Sequence, residues 1–396
     1  MSELNNETDS GIKLRFTDNG AGNIPASFLS FIVPFTENKV GWDGGDKVTD
    51  ILNAMPGALA QGLIWGIMAI GVYITYRILD FADLTVDGTM CTGGAVCIMM
   101  MTSGHNIWVS LLVATLAGMV AGLATGIFNT FMGIPPILAG ILSQLGLYSI
   151  NLKIMGKSNQ TISVDNYDLT VSLRYLTDSD IPWYKNPILV TGIFVVVIIA
   201  LLYWFFGTER GCSIRATGCN PNMSRAQGIN TNLNTIIALM ISNGLVALSS
   251  ALYAQYQGFA DVNMGRGAIV IGLAAVIIGT VLFERIFKSF AMKLFAVAIG
   301  AVIYYVVLQV VITLGFDTDL LKLLSAIVVA IFLAIPYWKK KYFSKPVLVK
   351  ETAGDSAEIT QTDSADGYAE SVKNEAAAEV MRETAAEAAK VREGGR

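Results

Sequence analysis

Nine apolar runs divide the chain, at 54–76, 84–102, 107–130, 134–155, 187–206, 233–256, 267–283, 290–314 and 320–338. A helix needs about 20 such residues to cross a bilayer, so the pattern predicts an all-α, polytopic membrane helical bundle of about 8–10 spans. The second and seventh runs are short and contain glycine, which marks one or two short or broken helices. Gly118, Gly122 and Gly126 recur every four residues, as do Gly62 and Gly66. Small residues at this spacing let helix backbones approach closely where lipid offers no hydrophobic drive. A glycine-lined route for a solute is the competing reading of the same stripe. Residues 27–36 are too short to span, contain Pro34, and read as an interfacial segment within an N-terminal extension, 1–49. The bundle occupies 50–345, and 346–396 form an acidic Ala/Glu-rich tail, partly disordered. Within that tail Glu375, Glu379, Glu383 and Glu387 stand four apart, as on one face of a weak solvated helix whose like charges repel.

Composition agrees with burial in lipid. The 396 residues are 53% hydrophobic and 15% charged, against about 25% charged in soluble domains. Residues 351–396 hold 11 acids and 5 bases, so the net charge of −4 conceals a balance of +2 over the first 350. No basic stripe survives outside the connecting loops, which argues against nucleic acid as a partner. Two of the four cysteines, Cys91 and Cys97, lie in an apolar run, and Cys212 and Cys219 lie in a polar connector; packing is the expected role of all four.

That connector, GTERGCSIRATGCNPNMSRAQGINT at 207–231, is the longest polar stretch between two spanning runs of the second half. Placing it in the cytoplasm puts twelve cations on the inner side, from Arg77 to Lys350, against six outside: Lys153, Lys157, Arg174, Lys185, Arg266 and Lys322. The positive-inside rule favours this orientation, with the C-terminal tail cytoplasmic. Nine crossings then set residues 1–49 outside, and one re-entrant segment reverses that. On the outer side, 156–186 alternate polar and apolar residues (Thr161, Ser163, Asn166, Leu169, Val171) and predict a small hairpin. Asp261 and Arg266 in the 257–266 loop are candidate contacts for an extracytoplasmic binding protein, or simply solvated charges.

No catalytic constellation is present. His105 is the single histidine, which removes His-based metal clusters and Ser-His-Asp triads. MGKS at 155–158 lacks a phosphate loop's earlier glycine, that position being Asn151. The chain is therefore not expected to be an enzyme or to bind a cofactor, and ATP-driven work would need another polypeptide. The most informative stretch is Arg77–Gly88, RILDFADLTVDG. Asp80, Asp83 and Asp87 would share one face of a continuing helix, yet a charged acid at a bilayer's centre costs about 2.5–3.5 kcal/mol. Either Asp83 or Asp87 caps the following helix, or a helix break around Thr85 lines a translocation path. The amides Asn129, Gln144, Asn151, Asn243, Gln255 and Gln309 lie inside apolar runs. Each alone suits an interhelical hydrogen bond; together they suit a route for a zwitterionic solute.

Three blocks carry a resemblance. Arg77–Gly88 with GGAV at 93–96, LAGILSQLGLYSINLKIMGKSNQTI at 138–162 and RATGCNPNMSRAQGINT at 215–231 resemble the permease subunits of bacterial ABC importers of the tryptophan/tyrosine type. That group is akin to the branched-chain amino-acid and ribose permeases. SNGLVALSSALYAQYQGFADVNMGRG at 242–267 fits the same pattern, and the resemblance covers about 50–340. It implies a translocation subunit in the cell membrane that pairs with a second permease copy as a homodimer. Two ATP-binding cassette ATPase subunits and an extracytoplasmic solute-binding protein complete the assembly, and the cargo is a small organic solute such as an aromatic amino acid. A coupling loop would comprise Arg215 and the segment Asn220, Pro221, Asn222, Met223, Ser224, Arg225, Ala226, Gln227 and Gly228. Residue chemistry agrees, since Asn220 suits an N-cap, Pro221 a first helical position and Gly228 a terminator. A self-sufficient secondary transporter, driven by a proton or cation gradient through Asp83 or Asp87, is the alternative.

Overall fold

The computed structural model describes residues 44–162, 169–172, 175, 186–283, 287, 289–313 and isolated positions between 323 and 334, with side chains from Leu52 onward. The interfacial segment, the ninth apolar run beyond residue 334 and the acidic tail lie outside the described residues. In chain order the helices are α1 (Gly44–Tyr73), α2 (Thr85–Thr102), α3 (Ile107–Thr130), α4 (Pro136–Met155), α5 (Pro187–Gly207), α6 (Glu209–Cys219), α7 (Pro221–Ala226), α8 (Thr231–Gln257), α9 (Ala268–Phe283) and α10 (Phe290–Thr313). Six of them are long and apolar enough to cross a membrane: α1 with its extension to Ile78, α3, α4, α5, α8 and α10. Helices α2 and α9 are the short, glycine-containing ones that the sequence pattern marks.

The centre of the bundle is α1 and α8, whose side chains are mostly buried, whereas α3, α4 and α5 leave most of theirs exposed, as lipid-facing helices do. Helix α8 runs antiparallel to α1 along a ladder of serine hydroxyls. Ser242 donates to the Gly71 carbonyl at 2.8 Å, and Ser249 to that of Ile64 at 2.7 Å. It runs parallel to α2: Thr89 bonds Asn243, Ser250 donates to the Met90 carbonyl, and Gln255 reaches Cys97. Such bonds satisfy hydroxyls and amides that lipid cannot.

The glycine stripes are packing surfaces. A Cβ on Gly118 would come within 2.4 Å of Ala247 Cβ, one on Gly122 within 2.3 Å of the Leu239 carbonyl oxygen, and one on Gly126 within 2.9 Å of Ile236. All three therefore seat α3 directly on α8. Gly62 and Gly66 seat α1 on Val302 and Ala298 of α10 in the same way.

The strand β1 (Asn159–Thr161) pairs antiparallel with β2 (Phe259–Asp261), about a hundred residues on, so the two loops share one face of the bundle; most of the 156–186 hairpin expected from the sequence lies outside the described residues. One expectation is corrected. The polar connector 207–231 is mostly helical, because Thr208 accepts the Gly211 N–H and starts α6 immediately after α5 ends.

Candidate functional site

Helix α1 widens into a π-turn at Ile74–Ile78, and the Phe81 N–H reaches back to the Thr75 carbonyl. The chain then leaves helical geometry, with Asp80 exposed at φ 54°, and resumes at Thr85. The three acids thus share no helix face, because the break sends each elsewhere. Asp80 meets solvent. Asp83 is 2% exposed; its Oδ1 accepts the Thr85 N–H at 2.9 Å and its Oδ2 accepts from the Asn243 amide at 2.7 Å. Asn243 in turn accepts from Thr89 at 2.7 Å. Thr85 continues the network through Thr125 to Ser143, at 2.7 and 2.6 Å. One polar chain therefore ties α2, α3, α4 and α8 at the level where α2 begins, which offsets the cost of burying a carboxylate.

Asp87 does a different job. It accepts the N–H groups of Gly267 at 3.1 Å and Ile269 at 3.0 Å, capping not its own helix but α9. The turn 262–267 is pressed onto α2 to make this possible: a Cβ on Gly265 would lie 1.9 Å from the Asp87 carbonyl oxygen. Both short helices start inside the bundle, and one carboxylate joins their first turns.

Beside this junction lies a cavity of about 390 Å³, lined by Asp87, Gly88, Cys91, Gln144, Leu145, Tyr148, Asn151, Val262 and Arg266. Three path candidates, Asp87, Gln144 and Asn151, meet here. Arg266, singled out as a docking contact, joins them, whereas Asp261 turns its carboxylate to the Asn263 N–H. Asp83, Thr85 and Asn243 form the neighbouring core network. Asn129 closes the end of α3 by donating to the Ile134 carbonyl, and Gln255 accepts the Thr170 N–H at the opposite end of the bundle. Neither borders the cavity. Sequence reasoning missed Thr125, Ser143 and Tyr148; hydroxyls inside apolar helices were the available signal.

The connector forms an elbow. Asn220 accepts the Met223 N–H at 3.0 Å, Pro221 starts α7, and Gly228 at φ 79° lets the chain leave it. Asn222, Met223, Ala226 and Gln227 are exposed and Ser224 is buried. Arg225, also exposed, donates from Nε to Thr231 Oγ1 at 2.9 Å. Arg215 instead turns inward, donating to the Phe206 carbonyl that ends α5 and lying 5.7 Å from the Phe290 ring centroid. Asn234 of α8 holds α6 through Ser213 and Thr217. A Cβ on Gly218 would lie 1.8 Å from the Ile78 carbonyl oxygen, so α6 sits hard against the residue where α1 ends. Cys212 and Cys219 are exposed here, which overturns the packing role expected of them; Cys91 and Cys97 are buried as expected.

Residues 55–334 match the family model described as branched-chain amino acid transport system / permease component. A tyrosine transport system permease protein of Clostridioides difficile is 41% identical over 276 residues, 70% of this chain and 89% of that protein. An uncharacterized protein of Rickettsia prowazekii is 36% identical over 72% of this chain and 98% of its own length. A fructose import permease protein of Bifidobacterium longum is 26% identical over 63% and 68%. With its spanning helices, the chain belongs to the branched-chain amino acid transport permease family and is a multi-pass membrane subunit of an ABC importer.

Proposed function

We propose that this subunit works as a homodimer in a bacterial cell membrane and carries an amino acid with an aromatic side chain inward. Two separate ATPase subunits drive it, and an extracytoplasmic binding protein delivers the solute; the chain itself is not an enzyme and binds no cofactor. The elbow α6–α7 faces the cytosol with the C-terminal tail and receives the ATPase. One observation carries this reading: α7 exposes a compact set of polar and apolar side chains, with Met223 62% exposed, while α6 is locked to Ile78 and α8. Motion imposed on α7 would thus reach the break in front of α2 as a rigid displacement.

Support for a second copy comes from α4. Leu145 and Tyr148 line the cavity yet are 64% and 45% exposed, so the cavity opens at the bundle's outer face. A polar path open to hydrocarbon would strand its hydrogen-bonding groups, and a second α4 face closes it. The relative named for tyrosine transport supports the aromatic amino acid.

A pull-down from native membranes, followed by uptake in proteoliposomes, tests the reading. An ATPase and a binding protein should accompany the permease, and uptake should require ATP and survive an ionophore. Uptake by the chain alone, abolished by the ionophore, would establish the gradient-driven alternative.

A further inference from the structure

The cavity between α2, α4 and the turn 262–267 carries a stronger statement than membership of a path. We propose that it is a binding station within the permease for a zwitterion, in which Asp87 and Asn151 hold the ammonium and Arg266 holds the carboxylate. This deepens, and rests on, the transport function proposed above.

Three observations support it. Asn151 is fully buried; its amide nitrogen donates to the Gly88 carbonyl at 3.3 Å, but its Oδ1 has no donor among the described residues. A buried carbonyl left unpaired keeps its desolvation penalty, and a ligand N–H at the cavity wall removes it. Asp87 spends acceptor positions on the amides of Gly267 and Ile269, with the Ala268 N–H also turned to it, while a carboxylate has about four, so one is left to receive an N–H. The side chain of Arg266 makes no hydrogen bond or ion pair among the described residues, and it borders the same cavity. A cation and an anion bordering one cavity, with an unpaired amide carbonyl in the same lining, match a molecule carrying both charges. Leu145, Tyr148 and Val262 supply apolar surface for the remainder. The volume of about 390 Å³ falls in the small-molecule range of about 300–1,000 Å³.

Cysteine protection in the intact permease–ATPase complex tests the station. Leu145→Cys places a thiol on the cavity wall, and maleimide labelling at position 145 is read by peptide mass spectrometry, with exposed Cys212 as internal control. L-Tyrosine at several times its Kd should slow labelling at position 145 about fivefold without affecting Cys212. Tyramine, lacking the carboxylate, and 3-(4-hydroxyphenyl)propanoate, lacking the ammonium, should need at least about tenfold higher concentration for the same protection, since each leaves a site group unpaired. Arg266→Gln should abolish the protection while the ATPase still co-purifies. Equal protection by tyramine, or protection that survives Arg266→Gln, overturns the assignment. So does unchanged labelling with every natural amino acid in a complex that takes amino acids up. A complex that takes up none of them overturns the transport function, and the station with it.

Discussion

The Asp87 carboxylate accepts the N–H of Ile269, 182 residues further along the chain, at 3.0 Å. This bond makes the start of α9 dependent on the first turn of α2, so the two short helices cannot be displaced independently at that point. Removing an N-cap acceptor costs about 0.5–2 kcal/mol. Asp87→Ala should therefore lower unfolding stability by about 1–2 kcal/mol, measured by thermal unfolding in detergent. Asp87→Asn keeps an acceptor and should recover much of that loss. If Asp87→Asn is as stable as the wild type but transports poorly, the charge serves the solute as well as the cap. An alanine variant of wild-type stability would refute the cap.

The elbow makes a prediction about assembly. Arg225→Glu with Gln227→Ala alters the exposed side of α7 and should reduce ATPase co-purification while the detergent-solubilised bundle remains monodisperse. Arg225 also bonds Thr231, so Thr231→Val serves as the control: it removes that bond without touching the exposed face, and ATPase binding should persist. Unchanged stoichiometry in the double variant, or an equal loss in Thr231→Val, would mean that the face of α7 is not the contact.

Hydrophobic runs located the spans because lipid imposes one requirement on every spanning residue, and the cap of α7 was legible because Asn220, Pro221 and Gly228 act within a few residues of sequence. What remained hidden was non-local. The three acids at 80, 83 and 87 read as one helix face because periodicity carries no trace of the π-turn that ends α1 before Asp80. Capping was a fair expectation for Asp87, yet nothing near it in sequence announces that its target is α9. Arg266 read as an outer charge, since only the fold brings the turn 262–267 down onto α2. Arg215 read as part of a cationic connector, whereas the short step from α5 into α6 turns it back onto Phe206.

Glycine packing can be tested with its own control. Gly122→Val would drive side-chain carbons into the Leu239 carbonyl, which belongs to the backbone of α8 and cannot retreat. Overpacking of this kind costs about 1–3 kcal/mol, to be seen as a lower unfolding midpoint. Gly192→Ala, on α5, meets nothing within 4 Å and should be neutral or stabilising by up to about 1 kcal/mol. If the two variants unfold alike, the α3–α8 contact is looser than these distances require.

The Asp83–Asn243 bond permits the most discriminating measurement, because both partners are buried and joined at 2.7 Å. Asp83→Ala strands an amide N–H of Asn243, and Asn243→Ala strands both a carboxylate oxygen and the hydroxyl of Thr89. Each single change should cost more than the bond itself, since an unpaired buried group carries its full desolvation penalty. The double variant removes both groups and should cost less than the sum of the singles. Contacting residues couple by about 0.5–3 kcal/mol, and a value of at least about 1 kcal/mol is expected here because one partner is a carboxylate. Strict additivity would mean that the two groups act separately, and that the polar chain from α8 to α4 does not work as one unit.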